Sequence, residues 1–335
     1  MQRRRFHLAL GAAAVVAGAP ALVRAAVARH HDETWRDAAR QREWPVRVRW
    51  PEGEGACAVA IFSHGLGGSV DGGTVWGEAW QAAGFAVLHL QHPGSDASIW
   101  RAGRGGVREG ASPEQYLARL ADARFVLDEL ARRRRAGGPW ARIRLDAIGL
   151  CGHSFGARLT QAIAGERPRA TGATGATATA RTADPRPRAF IAFSPGFSAR
   201  DGIDDAEVAR RFGAIDRPFL CVTGTKDDAM IVGDAEYATR RAVYRGLPAG
   251  RKAELVLDGA DHATFGGQAS IGRGPILSRL LRRDARAIEL EAHHHEIVAR
   301  ITTDWWRWRL LGDAEAAGRL RTPAGLGAGD LWQQG

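Results

Sequence analysis

One segment restricts the possible folds of this chain more than any other: Gly152-His-Ser154-Phe-Gly156. The apolar run Arg144–Cys151 precedes it, and the helix-like stretch Ala157–Ala164 follows it. A strand, a sharp Gly-x-Ser-x-Gly turn and a helix together hold a serine hydroxyl above the backbone, where it can attack a carbonyl. The glycines permit such a turn because they have no Cβ. The alternative is an ordinary strand-to-helix turn. Other segments of the chain have to distinguish between these two interpretations.

A glycine-rich loop follows the first apolar strand. The strand Cys57–Phe62 runs directly into Ser63–Ser69, which reads Ser-His-Gly-Leu-Gly-Gly-Ser. A nucleophilic serine needs two backbone N–H donors for the oxyanion, one from such a loop and one from the residue after the nucleophile. This assigns the donors to Leu66 and Phe155. The alternative is that the glycines mark only a turn.

A carboxylate and an imidazole follow two later strands. The short apolar run Arg217–Gly224 ends just before Asp227 and Asp228, and the run Ala253–Leu257 is followed by His262. Ligands of open α/β sheets collect at the carboxyl ends of the strands. The chain order is therefore serine, aspartate, histidine, which is the order of α/β-hydrolases and not that of chymotrypsin or subtilisin.

These motifs resemble the α/β-hydrolase superfamily, in the branch around dienelactone-hydrolase-like and platelet-activating-factor-acetylhydrolase-like esterases. The resemblance extends over about residues 46–308 and rests on four segments: Phe62–Gly68, Gly152–Ala157, Gly224–Asp227 and Gly259–Phe265. It implies the α/β-hydrolase fold, with a mostly parallel central sheet flanked by helices. Dienelactone hydrolases proper use a cysteine nucleophile, whereas the turn here holds Ser154. This difference argues against a dienelactone as the substrate.

The resemblance also suggests how the roles are divided. Ser154 would attack, His262 would take and return the proton, and an aspartate would orient the imidazole. Asp227 is favoured because it matches the superfamily's common Gly-x-x-Asp ending, with Asp228 as the alternative. Asp201, after the strand Ala189–Phe193, is a third candidate.

Three functions remain open at this stage. The leading one is a serine esterase that needs neither cofactor nor metal and takes a small-molecule or lipid-like ester. An amidase or peptidase is the enzymatic alternative, because the triad does not select the leaving atom, and a non-catalytic binding module on the same fold is the third. Only about twenty residues separate the sixth and seventh strands, too few for a large lid domain.

The composition indicates a globular enzyme and argues against nucleic-acid binding. Hydrophobic residues make up 45% of the 335-residue chain, enough for a substantial core. The net charge of +10 comes almost entirely from arginine, since Lys226 and Lys252 are the only lysines. No basic cluster interleaved with aromatic residues accompanies this charge, as a nucleic-acid site would require. The oligomeric state stays open.

The chain divides into three predicted parts. Residues 1–25 have the charged, apolar and small-residue zones of a signal peptide, with Arg3-Arg4-x-Phe6 resembling a twin-arginine signal. Residues 26–311 form the hydrolase domain, with a low-complexity loop at 170–187, and residues 312–335 form a Gly- and Ala-rich tail that we expect to be partly disordered. The predicted location is periplasmic or secreted, without stable membrane insertion once the signal is removed.

Several other residues receive structural interpretations. The three cysteines fall in predicted strands and are expected to be buried thiols: Cys57, Cys151 and Cys221. Ser95-Asp96 is expected to form a loop. The run His293–His295 is expected to begin a surface helix, because consecutive helical residues point in different directions and rarely bind one metal. Three tryptophans of the last long helix are expected to pack it against the sheet: Trp305, Trp306 and Trp308.

Replacing both Arg3 and Arg4 by lysine should block export, because the twin-arginine pathway reads the arginine pair and not its charge alone. Expression in a bacterial host, followed by fractionation and detection of the processed chain, measures this. Normal processing and export of the double variant would mean that the signal is of another type.

Overall fold

The computed structural model describes residues 30–168, 182–196, 204–228, 237–268 and 283–335. Within these ranges the strands are β1 His30–Asp37, β2 Arg42–Arg49, β3 Cys57–Ser63, β4 Ala86–Leu90, β5 Ile143–His153, β6 Pro187–Phe193, β7 Phe219–Lys226, β8 Lys252–Asp261 and β9 Leu331–Gln334. The α-helices are α1 Thr74–Ala82, α2 Gly103–Gly110, α3 Pro113–Ala136, α4 Phe155–Ala164, α5 Asp205–Phe212, α6 Tyr237–Gly246, α7 Ala285–Leu311 and α8 Ala314–Arg319. Short 3₁₀ turns occupy Ala97–Ala102, Gly138–Arg142 and Thr264–Gly266.

The strands form one sheet in the order β1-β2-β4-β3-β5-β6-β7-β8-β9. The block from β4 through β3 to β8 is parallel, and the pairs β1–β2, β2–β4 and β8–β9 are antiparallel. Every residue of β3 and β4 is buried, as expected of strands that helices cover on both faces. The predicted α/β class with a mostly parallel central sheet is confirmed.

Helices cover both faces of the sheet and enclose two cores. One core lies between the sheet and the helices α3, α4, α5 and α6. The other lies between the sheet and the helices α1 and α7. Because the parallel strands point the same way, the loops that follow β3, β5, β7 and β8 emerge at one edge of the sheet, and these loops carry all the predicted catalytic residues.

Helix α7 packs as the tryptophan pattern predicts. Trp305 and Trp306 are fully buried, and the Trp305 indole donates a hydrogen bond to the Phe190 carbonyl oxygen at 3.2 Å. The Trp306 ring lies so close to Gly149 that a Cβ there would come within 2.8 Å of it. Trp308 is partly buried against the same core.

The histidine run differs from the sequence-based expectation. Helix α7 begins at Ala285, eight residues before His293, and two of the three histidines are buried and not on a surface. His295 lies edge-on to Trp76 and contacts the Thr264 carbonyl oxygen at 3.0 Å. The helical spacing places the second and third imidazoles under the loop that follows β8, which the local sequence does not reveal. No cluster of potential metal ligands occurs among the described residues.

The C-terminal end of the sheet also differs from expectation. The segment from Gly312 onward was expected to be partly disordered, but it contains helix α8 and strand β9, and β9 pairs with β8. The Trp332 indole anchors the strand by donating to the Leu320 carbonyl oxygen at 2.7 Å. At the other end, β1 pairs along the whole of β2 and lies outside it. Alternating buried and exposed residues in short edge strands give only a weak sequence signal.

The three cysteines are unpaired and buried, as expected: Cys57, Cys151 and Cys221. Burial raises the pKa of Cys151, the thiol nearest to the serine turn, well above its ordinary value. Within the described part of the chain, no helix is long and apolar enough to cross a bilayer. The predicted signal peptide, Asp201 and most of the low-complexity loop, residues 170–181, lie outside the described residues.

Candidate active site

Ser154 occupies a strained turn between β5 and α4. Its backbone φ is 55° and its ψ is −108°, a region that L-residues seldom adopt outside functional sites. Two hydrogen bonds fix this conformation: the Ser154 N–H donates to the Phe193 carbonyl oxygen at 2.9 Å, and its carbonyl accepts from Arg158 at 3.1 Å. The turn therefore has the form that the sequence predicts for a nucleophilic serine.

Both flanking glycines are required by close backbone approach. A Cβ at Gly156 would overlap the carbonyl oxygen of Ser63, the last residue of β3. A Cβ at Gly152 would come within 2.5 Å of Gly156 and within 2.7 Å of the same carbonyl oxygen. Helix α4 consequently begins in direct contact with the end of β3, which brings the two predicted oxyanion donors to the same place.

The predicted acid and base are in contact. His262 Nδ1 lies 2.7 Å from Asp227 Oδ1, and the Asp227 side chain is fully buried. The Thr223 hydroxyl donates to the second carboxylate oxygen at 2.8 Å. Burial alone would raise the pKa of Asp227, but the charges of Arg240 and His262 outweigh this effect, so the pKa lies below its ordinary value. The ionised carboxylate accepts a hydrogen bond from Nδ1–H of His262, and the Nε2 atom of the ring is then unprotonated.

Asp228, the alternative acid, is exposed, and its backbone N–H bonds only to the Lys226 carbonyl oxygen. The geometry thus favours Asp227 within the pair. Asp201 lies outside the described residues.

His153 connects the serine turn to the base. Its Nε2 donates to the His262 carbonyl oxygen at 3.0 Å, and the two rings are 4.6 Å apart. Burial, together with the neighbouring His262, lowers the pKa of His153 well below its ordinary value, so its ring is neutral. The residue before Ser154 therefore holds the backbone of His262 beside the serine turn.

The glycine-rich loop lies against the serine turn. A Cβ at Gly65 would lie 3.4 Å from Ser154 Cβ and 3.1 Å from the His153 ring. Within the described residues, the N–H groups of Leu66 and Phe155 have no hydrogen-bond acceptor. Two unsatisfied N–H groups beside a partly buried serine are what an oxyanion hole provides, because such donors act only when charge develops on the substrate.

One residue of the site, Arg240, carries no sequence signal of its own. Arg240 of α6 pairs with Asp227 at 2.9 Å and also donates to the carbonyl oxygens of Ser194 and Pro195. It lies in a helix that follows residues with no recognisable motif, so only the folded chain brings it to Asp227.

A second Ser-His-Asp chain lies behind the loop, entirely buried. His92 Nε2 is 2.9 Å from the Ser63 hydroxyl, and its Nδ1 is 3.0 Å from Asp122. Burial would raise the pKa of Asp122, but hydrogen bonds from His92 and Arg42 lower it to about 2. The ionised Asp122 accepts a hydrogen bond from Nδ1–H of His92, so Nε2 of His92 accepts a hydrogen bond from the Ser63 hydroxyl. Ser63 is fully buried, and its array supports the loop instead of facing a substrate.

Comparisons with known proteins agree with this architecture. No protein-family model matches the chain, and no curated protein matches it. Solved structures do match, among them the crystal structure of the 2,6-dihydroxy-pseudo-oxynicotine hydrolase, with a TM-score of 0.50. That match has 17% sequence identity and covers 85% of this chain and 69% of the other. The fold is that of the α/β-hydrolases. At this identity the likeness shows the fold alone, and the chemistry has to be argued from the residues of this chain.

The buried His92 of this α/β-hydrolase fold makes stability depend on pH. Burial and the Arg119 charge lower the pKa of His92 from 6.5 to about 4. Between these two pH values the unfolded chain binds more protons than the folded chain. The stability that the neutral His92 contributes is therefore present above pH 6.5 and is lost as the pH falls towards 4. Replacing His92 by glutamine should reduce the loss of unfolding free energy between about pH 7 and about pH 5 by about 2 kcal/mol.

Urea unfolding of both proteins at the two pH values measures this difference. An unchanged pH dependence in the variant would mean that other groups cause the acid destabilisation.

Proposed function

We propose that the chain is a serine hydrolase that cleaves carboxylic esters through an acyl-enzyme on Ser154. The observation that carries the proposal is the 2.7 Å contact between His262 and the buried Asp227. His262 lies in the loop after β8, and His153, the residue before Ser154, holds that loop beside the strained turn. A buried carboxylate bound to an imidazole beside a strained serine is the arrangement that activates a hydroxyl.

In the proposed acylation step, Nε2 of His262 removes the hydroxyl proton as Ser154 Oγ attacks the ester carbonyl. Asp227 holds the imidazole in the tautomer with the proton on Nδ1 and stabilises the imidazolium that forms. The carbonyl oxygen becomes an oxyanion and accepts hydrogen bonds from the N–H groups of Leu66 and Phe155. One such donor contributes about 2.7–4 kcal/mol of transition-state stabilisation.

Collapse of the tetrahedral intermediate expels the alcohol, which takes the proton from the imidazolium of His262. Water then enters, His262 removes a proton from it, and the resulting attack on the acyl group releases the carboxylic acid and restores the Ser154 hydroxyl. Every proton moves through one imidazole nitrogen, so the proposed mechanism uses no metal or cofactor.

Esters are the proposed substrate class because the sequence motifs resemble those of esterases. We further propose that the site works in the periplasm or outside the cell, because the chain carries a twin-arginine pattern at Arg3-Arg4.

Replacing Ser154 by alanine should abolish hydrolysis of p-nitrophenyl esters and covalent labelling by a fluorophosphonate, because the attacking oxygen is removed while the fold remains. Activity assays and mass spectrometry of the labelled protein measure both effects. Ser63→Ala is the matched control: it removes the hydroxyl of the buried Ser-His-Asp array, and labelling should persist. Labelling that survives Ser154→Ala and disappears in Ser63→Ala would reverse the assignment.

Replacing Asp227 by asparagine should lower kcat by about 10³–10⁴-fold, because an amide no longer fixes the imidazole tautomer. Asp228→Asn is the matched control, one residue away and exposed, and its kcat should stay within about threefold of wild type. A large loss of kcat in Asp228→Asn and not in Asp227→Asn would mean that Asp228 is the acid of the triad.

A further inference from the structure

The direction of the Leu66 N–H, a proposed oxyanion donor, is fixed by the peptide group to which it belongs. Leu66 contributes the nitrogen of that group and Gly65 contributes the carbonyl, and the described chain contains no cis peptide bond. In a trans peptide the N–H and the C=O point in opposite directions within one rigid plane. Whatever holds the Gly65 carbonyl oxygen therefore sets the direction of the proposed oxyanion donor.

Three donors hold that carbonyl oxygen: the Gly68 backbone N–H at 3.2 Å and two side chains. His64 Nδ1 lies 2.6 Å from it, and the terminal nitrogen Nη2 of Arg119 lies 3.2 Å from it. The His92 backbone N–H donates to His64 Nε2 at 3.1 Å, so Nε2 is the acceptor and the proton of the ring is on Nδ1. The Nη2 atom is also 3.2 Å from His64 Nδ1, because both groups converge on the same oxygen.

Arg119, a residue of helix α3, places its fully buried guanidinium against the loop after β3. Its other hydrogen bonds go to the His64 carbonyl oxygen at 2.7 Å, the Ser95 hydroxyl at 2.7 Å and the Ser95 carbonyl oxygen at 3.1 Å. The Ser95 carbonyl also accepts from Gly67 N–H at 2.9 Å, so the two loops are held by the same atoms. The guanidinium lies 4.6 Å from the Phe155 ring, which belongs to the second donor residue.

We infer that Arg119 is a positioning residue of the oxyanion hole, which orients the Gly65–Leu66 peptide and strengthens its N–H as a donor. This inference rests on the proposed function. A cation bonded to a peptide carbonyl polarises the peptide, and in a low-dielectric interior this makes the N–H at its other end a stronger donor. Since an oxyanion forms only during reaction, the effect falls on the transition state and not on substrate binding.

Replacing Arg119 by methionine should lower kcat for p-nitrophenyl acetate by about 10- to 100-fold, because a displaced donor loses much of its effect. KM should change by less than about threefold, and the affinity for a trifluoromethyl ketone, which forms an oxyanion on the serine, should fall by the same factor as kcat. A purely structural arginine would lower thermal stability while leaving both values unchanged for the folded fraction.

Arg49→Met is the matched control, because Arg49 is equally buried but contacts His89 and not the loop. Its kcat should stay within about twofold of wild type. Arg119→Lys and Ser95→Ala serve if the methionine variant fails to fold, and each should give a smaller loss of kcat matched by an equal loss of ketone affinity. Wild-type kcat and ketone affinity in both would overturn the inference.

The outcome for Ser154→Ala separates the two claims. If that variant retains hydrolysis, the proposed function fails. If it is inactive while Arg119→Met hydrolyses at the wild-type rate, only the role of Arg119 fails.

Discussion

The contact between the start of helix α4 and the end of strand β3 determines the arrangement of this site. Gly156 meets the Ser63 carbonyl so closely that no side chain fits between them. This forces the chain to turn within a single residue, which places Ser154 in its positive-φ conformation. The same contact brings the loop after β3 beside the N–H groups of the new helix. The proposed nucleophile and the proposed oxyanion donors thus follow from one packing constraint, and alanine at position 156 would disturb them together.

Buried arginines provide the second level of organisation. Arg119 binds carbonyl oxygens of the loops after β3 and β4, and Arg240 binds those of the loop after β6 as well as Asp227. Arg283 joins Asp261, next to the base, to Glu291 of α7. A planar guanidinium presents five donors in a fixed geometry, so one side chain satisfies several carbonyls that no regular secondary structure pairs. The loops around the site are held by charge-assisted hydrogen bonds.

The sequence predicts those parts of the site that depend on local pattern. The turn at Ser154, the glycine-rich loop and the strand ends before Asp227 and His262 all leave local signatures, and the structure has each of them at the expected strand end. The Gly-x-x-Asp pattern favours Asp227 over Asp228, whereas the burial that distinguishes the two carboxylates is defined only in the folded chain. Arg119 could not be predicted, since an arginine in an amphipathic helix normally faces solvent.

The edges of the sheet escaped prediction for a related reason. Strand β9 is four residues long and follows a Gly-rich segment, so its pairing with β8 leaves no periodic pattern. The burial of His294 and His295 likewise depends on which face of α7 meets the loop after β8. Both features are set by tertiary contacts across long sequence separations, where local propensity carries no information.

The three buried thiols bear on the proposed export of this chain. Cys57, Cys151 and Cys221 lie in three different strands of one sheet, reduced and shielded from solvent. Any two of them joined by a disulfide in an unfolded chain would form a covalent loop that prevents those strands from taking their places. An oxidising compartment is therefore hazardous to this chain before folding and harmless afterwards. Transport of the already folded protein, as the twin-arginine pattern predicts, would make folding itself the protection of its cysteines.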